Sequence, residues 1–191
     1  MRLVLGVRVA RRFQRRLRRQ PPPQPQRVRV GRASCRSVIG LFDHHLEHYR
    51  MSNIKFIKIG ADGQQLPDDA TDWVAVELPE HGLTFTATSI VESDVPQEQC
   101  EAAAKALTLA GHSDWDLPTI DELSLLVDRT RYEPAINTDF FQDIQNDWYW
   151  SKTPAAWSSA SAWGVLFDYG DVSSNLRYSY GFALAVRRAG Q

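Results

Sequence analysis

The chain changes sign near residue 50, and that break limits what can fold together. Residues 1–50 hold thirteen Arg, no Lys and two acids (Asp43 and Glu47), a net of +11, whereas residues 51–191 hold nine bases and twenty-one acids, a net of −12. Blocks of opposite sign mark a boundary between segments. All six Trp lie in the acidic block of about 140 residues, the common size for one domain with a single core. The sequence therefore predicts one folded domain over residues 51–191.

The leader has a different character. Arg11-Arg12, Arg15-Arg16 and Arg18-Arg19 precede Pro21-Pro22-Pro23-Gln24-Pro25-Gln26. Like charges repel and prolines lack an amide donor, so a disordered basic leader is expected over residues 1–50. An organellar presequence and a phosphate-binding arm are open readings. The preferred reading takes Met51 as the start, with residues 1–50 as an upstream extension of the reading frame. His44, His45, Glu47 and His48 are spaced like metal ligands, but no second cluster completes a coordination shell. No metal or cofactor is expected.

Arg8 interrupts the first apolar run, which an export signal would keep whole. No stretch approaches the roughly 18 apolar residues that span a bilayer. The expectation is a soluble protein, cytoplasmic or released within a phage or surface assembly. Cys100 is the only cysteine after Met51, so no disulfide can form inside the domain.

Residues 54–59 (IKFIKI) alternate apolar and basic side chains, the period of a half-buried strand, and Asp62-Gly63 signals a hairpin turn. Residues 73–78 and 84–90 are strand-like, joined by a turn at 79–82. A helix is expected over residues 97–110, capped by Ser93 or Asp94 and ended by Gly111, with Cys100 buried on its inner face. Thr119-Ile120-Asp121-Glu122 is a capping box opening a second helix, with Leu123, Leu126 and Val127 at helical spacing. Thr138 or Asp139 is expected to open a short turn through Phe140 and Phe141. Strands are expected at 148–151, 163–168 and 182–187. Together these predict an α+β domain with two helices and small antiparallel sheets.

From Gly111 onward the chain resembles the Lcl C-terminal domain family. Trp115-Asp116-Leu117-Pro118-Thr119 with Glu122-Leu123, then Tyr149-Trp150-Ser151, then the 162–168 strand, Gly170 and Ala185-Val186-Arg187 carry the resemblance. It covers about residues 98–188. It implies a C-type-lectin-like fold, found in bacterial surface adhesins and phage proteins, with the ligand surface in C-terminal loops. Trp115, Pro118 and Thr119 read as architecture, Glu122 as engaged in the helix cap, and at least one of Trp148 and Trp150 as buried. Glu133-Pro134-Ala135 departs from the calcium-holding triplet of sugar-binding lectins by lacking Asn after Pro134. The paired cysteines of the formylglycine-generating branch are absent, and no Ser sits in a nucleophile elbow. Enzymatic activity is not expected.

The candidate contact surface is residues 169–180 (YGDVSSNLRYSY), read as a loop between strands. Tyr169, Asp171, Asn175, Arg177, Tyr178 and Tyr180, joined by Trp157 from a Ser/Ala-rich turn, combine rigid aromatic area with adaptable polar groups, a mix that paratopes favour. The expected function is non-enzymatic recognition of a glycan or protein surface, not of nucleic acid. The alternative is an intracellular phage or prophage protein whose acidic surface engages a basic host protein.

Overall fold

The computed structural model describes residues 54–190. The leader, its histidine cluster and Cys35 lie outside the described residues. Three antiparallel sheets carry the domain. The first contains β1 (Ile57–Ile59), β2 (Gln65–Leu66), β3 (Ala75–Leu78) and β4 (Leu83–Thr86), closed on one edge by the last strand, β10 (Val186–Arg188), in the order β10-β4-β3-β1-β2. The second pairs β5 (Val95–Pro96) with β9 (Tyr180–Gly181). The third is β6 (Trp148–Ala155), β7 (Ser158–Leu166) and β8 (Asp171–Leu176); β10 (Val186–Arg188) returns to the first sheet. The helices are α1 (Gln97–Ala106) and α2 (Ile120–Ser124). The α+β expectation holds.

Local chemistry explains the turns. Between β1 and β2 the amide of Gly60 donates to the Gln64 carbonyl, and Gly63 takes φ +80°, a conformation open to glycine. Lys58 departs from the half-exposed pattern expected of IKFIKI. It is buried, its ammonium donating to the carbonyls of Asp68 and Ala70 (2.8 Å each) and lying 3.7 Å from the Trp73 ring centroid. The 67–73 loop folds over the strand and replaces water around the charge.

Helix α1 begins at Gln97 as expected but ends at Ala106, four residues early, and neither Ser93 nor Asp94 caps it. Pro96 occupies the N-cap with no side-chain cap, because Val95 and Pro96 are drawn into pairing with Gly181 and Tyr180. Leu107 leaves in an extended conformation at ψ 132°, and Gly111 serves a separate turn, closed by reciprocal Leu109–His112 backbone bonds with φ 52° at Ala110 and 76° at Gly111. Helix α2 carries the predicted capping box, with Thr119 accepting from the Glu122 amide while Glu122 accepts from the Thr119 amide at 2.7 Å. It ends after five residues, and Leu126 is buried from the turn beyond it. The turn before Phe141 opens one residue early, at Asn137, whose side chain takes the Asp139 amide.

The segment 182–188 lies between two cores. Leu184 and Val186 join Val76, Phe85, Tyr149 and Phe167 on one side; Ala183 and Ala185 join Cys100, Trp115, Leu117 and Trp150 on the other. Alternating side chains of an extended segment point to opposite faces, so burial on both makes the run continuously apolar. Phe182 bonds the backbone of Trp148 and Trp150, and β10 pairs with β4, so this stretch joins the first sheet to the third. It is not the single 182–187 strand expected from sequence.

Candidate functional site

The largest correction falls on residues 169–180. They do not form one loop: Asp171–Leu176 is strand β8, paired with β7 from Leu166↔Asp171 to Ser161↔Leu176. Five steps at about 3.3 Å each separate the ends of β8 by about 17 Å. Tyr169 and Asp171 lie at the β7–β8 turn, while Asn175, Arg177, Tyr178 and Tyr180 lie at or beyond the other end. Trp157, in the β6–β7 turn, belongs to that second end, because Ser158 begins β7 and the Ala160 carbonyl accepts the Arg177 amide at 2.9 Å. The seven predicted residues thus form two groups within one chain.

The Trp157 end is the richer surface. Trp157 (67 % exposed) stands edge-on to Trp163, centroids 5.5 Å apart, while Tyr178 (70 %) and Tyr180 (64 %) are exposed in the segment after β8, Tyr180 within β9. Leu176 is also exposed. Polar neighbours hold this end in shape. Asn175 Oδ1 accepts from the Leu176 amide at 2.8 Å and from Ser179 Oγ at 3.2 Å. Arg177 donates through Nη1 to Gln97 Oε1 at 3.0 Å, while Gln97 Nε2 donates to the Ser151 carbonyl. Ser151 Oγ in turn donates to the Trp163 carbonyl. Gln97 is almost fully buried, so Asn175 and Arg177 organise the scaffold and the aromatic rings are what it presents.

At the opposite end Tyr169 is exposed, and the neighbouring Asp168 carboxylate, as hydrogen-bond acceptor and as charge, raises the phenol's pKa. The Glu133 amide donates to the Asp168 carbonyl and the Ala135 amide to that of Phe167, so residues 133–135 brace this turn through their backbone. The structure adds Tyr132 (73 % exposed) and the half-exposed Val172, neither of them a sequence candidate. Val172 and Leu176 sit four apart in a segment too polar to suggest a strand; that spacing is the one signal that could have found them. Among the described residues no three His, Cys, Asp or Glu side chains converge as a metal site would require.

The conspicuous motif residues are internal. Trp115 is buried, its indole nitrogen facing the carbonyls of Leu109 and His112 at 3.3 and 3.2 Å. Trp150 is fully buried and meets Trp148 edge to face at 5.4 Å. Glu122 does more than cap: both its oxygens receive Arg188 nitrogens at 2.7 Å, and Asp116 takes Lys152 at the same distance. Burial alone would push the Glu122 and Asp116 carboxyls up, but the hydrogen bonds and charges of Arg188 and Lys152 outweigh it and hold both below the usual range. Cys100 is buried and its thiol is pushed up to about 12 by desolvation, which removes thiolate chemistry at neutral pH. A cleft of about 150 Å³ is lined by Glu77, Thr84, His112, Trp115 and Arg187 among others, and none of the seven predicted residues reaches it.

The molecule is thus an α+β domain that buries its motif tryptophans and displays aromatic rings at the ends of a three-stranded sheet. A family model described as the Lcl C-terminal domain matches residues 70–187, and the chain belongs to that family. The match begins earlier than the motifs alone indicate and takes in β3 and β4, which the C-terminal strand completes as a sheet. No curated protein matches the chain.

Proposed function

We propose that this domain is a non-enzymatic recognition module, built on a C-type-lectin-like scaffold, that binds a glycan surface through Trp157, Tyr178 and Tyr180. The observation that carries the reading is the exposure of three large rings, Trp157 in the β6–β7 turn with Trp163 edge-on to it, and Tyr178 and Tyr180 in the segment after β8. A monomeric domain leaves large aromatics in water at a cost, so a cluster of them suits a site that a ligand covers. The apolar face of a sugar ring can stack on such side chains, and the serines around them supply polar contacts. Rigid rings on a hydrogen-bonded base lose little entropy on binding. The small sheets and two short helices support the lectin-like scaffold.

A glycan array probed with the full chain tests this. Tyr178→Ala and Trp157→Ala should each abolish binding to any glycan that the parent retains, with melting temperatures unchanged. Retention of that binding by both variants would rule out this surface. A peptide or protein ligand lost in the same variants would keep the surface and change the ligand class.

A second reading has its own support. Of the nine bases after Met51, Lys105, Arg131, Lys152, Arg187 and Arg188 pair with carboxylates, and Lys58 is buried against carbonyls. Much of the positive charge is thus neutralised locally, which leaves the net acidity to dominate at a distance. Such a field would steer the domain onto a basic host protein, as expected of an intracellular phage or prophage protein. Capture from host lysate that collapses between about 50 and about 500 mM salt would favour this reading over the glycan.

A further inference from the structure

Strand β8 has an open side, and its geometry specifies what fits there. Arg177 donates its amide to Ala160, and the same register runs down the β7–β8 pair. Hydrogen-bonded positions alternate along an antiparallel ladder, so residues 171, 173, 175 and 177 turn their backbone groups toward β7 and residues 172, 174 and 176 turn theirs away. At Leu176 both outward groups are occupied, the amide by Asn175 Oδ1 and the carbonyl by the Ser179 amide, each at 2.8 Å. Among the described residues, Val172 and Ser174 have no backbone partner on that side.

We propose that this edge pairs with the same edge of a second copy, antiparallel about a two-fold axis through Ser173. Centring the axis there sets Val172 opposite Ser174 of the partner and uses every free group: two amides and two carbonyls from each chain form four hydrogen bonds. A shift of one residue in either direction cannot do this. Centring on Ser174 runs Val172 into the occupied Leu176 backbone, and centring on Val172 sets Ser174 against the turn residue Gly170. The chosen register opposes no like charges, since Asp171 faces Asn175 of the partner. β8 also lacks the Lys, Pro or bulge by which edge strands commonly resist pairing.

The pairing has a consequence for the recognition surface. It sets Gly170 of the partner opposite Leu176, and so brings the turn carrying Tyr169 and Asp171 to the end that carries Asn175, Arg177 and Tyr178. The two groups that one chain holds about 17 Å apart become neighbours across the axis. The dimer rests on backbone geometry and not on the glycan reading, and its test reads association rather than binding.

Sedimentation and light scattering of the full chain test it. The parent should reach a dimer as concentration rises. Ser174→Pro removes an outward amide without touching the β7 ladder, and should leave a monomer with unchanged circular dichroism. Ser173→Lys and Ser173→Glu each set like charges face to face at the axis and should weaken the dimer about fivefold or more. Mixing them should restore association. Ser173→Cys, in a Cys35→Ser background, should yield a disulfide-linked dimer on mild oxidation, since facing residues at such a position lie within disulfide reach. A parent chain that stays monomeric at every concentration and salt would overturn the proposal. So would a dimer that survives Ser174→Pro and both charge variants.

Discussion

Gly164 offers the sharpest test of how the third sheet is packed. It pairs with Trp150 across β6–β7, and a Cβ built on it would lie 2.5 Å from Trp148 Cζ2, 2.6 Å from Cε2 and 2.5 Å from the Tyr149 carbonyl oxygen. Ordinary carbon contacts lie near about 3.5–4.0 Å, so something must move by about 1 Å. The indole has little room to retreat. Its Cδ1 sits 2.6 Å from where a Cβ on Gly181 would be, and Trp150 blocks it edge-on. The Tyr149 carbonyl is backbone inside a strand and cannot swing away. Overpacking costs about 1–3 kcal/mol, and this site belongs near the top of that range. Reduced freedom of the unfolded chain returns about 0.4–1 kcal/mol. Gly164→Ala should therefore destabilise by about 2 kcal/mol, a fall of about 8 °C in Tm for a domain of this size. Thermal and urea unfolding would measure it, and a cycle with Trp148→Ala would apportion it. In the Trp148→Ala background the same change should cost at least about 1 kcal/mol less, because only the carbonyl clash remains. A Gly164→Ala variant that melts within about 2 °C of the parent would refute the packing argument. An unchanged cost in the cycle would show that Trp148 is not what it strikes.

Gln97→Leu should lower stability by about 2 kcal/mol, since it leaves Arg177 Nη1 and the Ser151 carbonyl without their partner; chemical unfolding would show it. Acid should destabilise the domain in one direction only. The Asp116 and Glu122 carboxyls are depressed in the folded state, so their stabilisation is present above the unfolded carboxyl range near about 4 and is lost as pH falls through their folded values. The Asp116→Asn, Glu122→Gln pair should flatten the acid limb of a Tm-against-pH curve, and a limb left equally steep would contradict the assignment. In a Cys35→Ser background, Cys100 should resist a thiol reagent at about pH 8 in the folded protein and react on unfolding, which absorbance detects.

Several features were legible from residues alone because they depend on neighbours in sequence. The Thr119–Glu122 capping box needs only one helical turn, and the hairpin at Asp62-Gly63 only a glycine at positive φ. Burial of Cys100 followed from helical spacing, and the family resemblance implied burial of Trp115 and of at least one of Trp148 and Trp150, of which Trp150 is the fully buried one. Features set by distant partners were not legible. Val95 and Pro96 form a strand because residues 180–181, more than eighty positions away, pair with them, and this puts Pro96 at the N-cap of α1 in place of Ser93 or Asp94. Lys58 is buried because the 67–73 loop supplies two carbonyls and an indole. Strand β8 looks like a loop in sequence because DVSSNL has neither the apolar alternation nor the branched residues of a half-buried strand. Its six residues are extended because β7 supplies a ladder of backbone bonds, which do not depend on side-chain identity.

The same division applies to the candidate surface. Sequence by itself determined its chemistry, since Tyr169, Tyr178, Tyr180 and Trp157 are rings in a polar context wherever they fall. It also determined the break in charge near residue 50, which follows from composition. Only the tertiary structure decided the grouping. An extended strand lengthens by about 3.3 Å per residue, so Tyr169 and Tyr178 part company in one chain although they are close in sequence. Trp157, about twenty positions before Tyr178, is returned toward that end of β8 by the β7–β8 hairpin. Arg177 and Asn175 also serve the scaffold: Arg177 Nη1 donates to Gln97, and Asn175 Oδ1 accepts from Ser179 and the Leu176 amide.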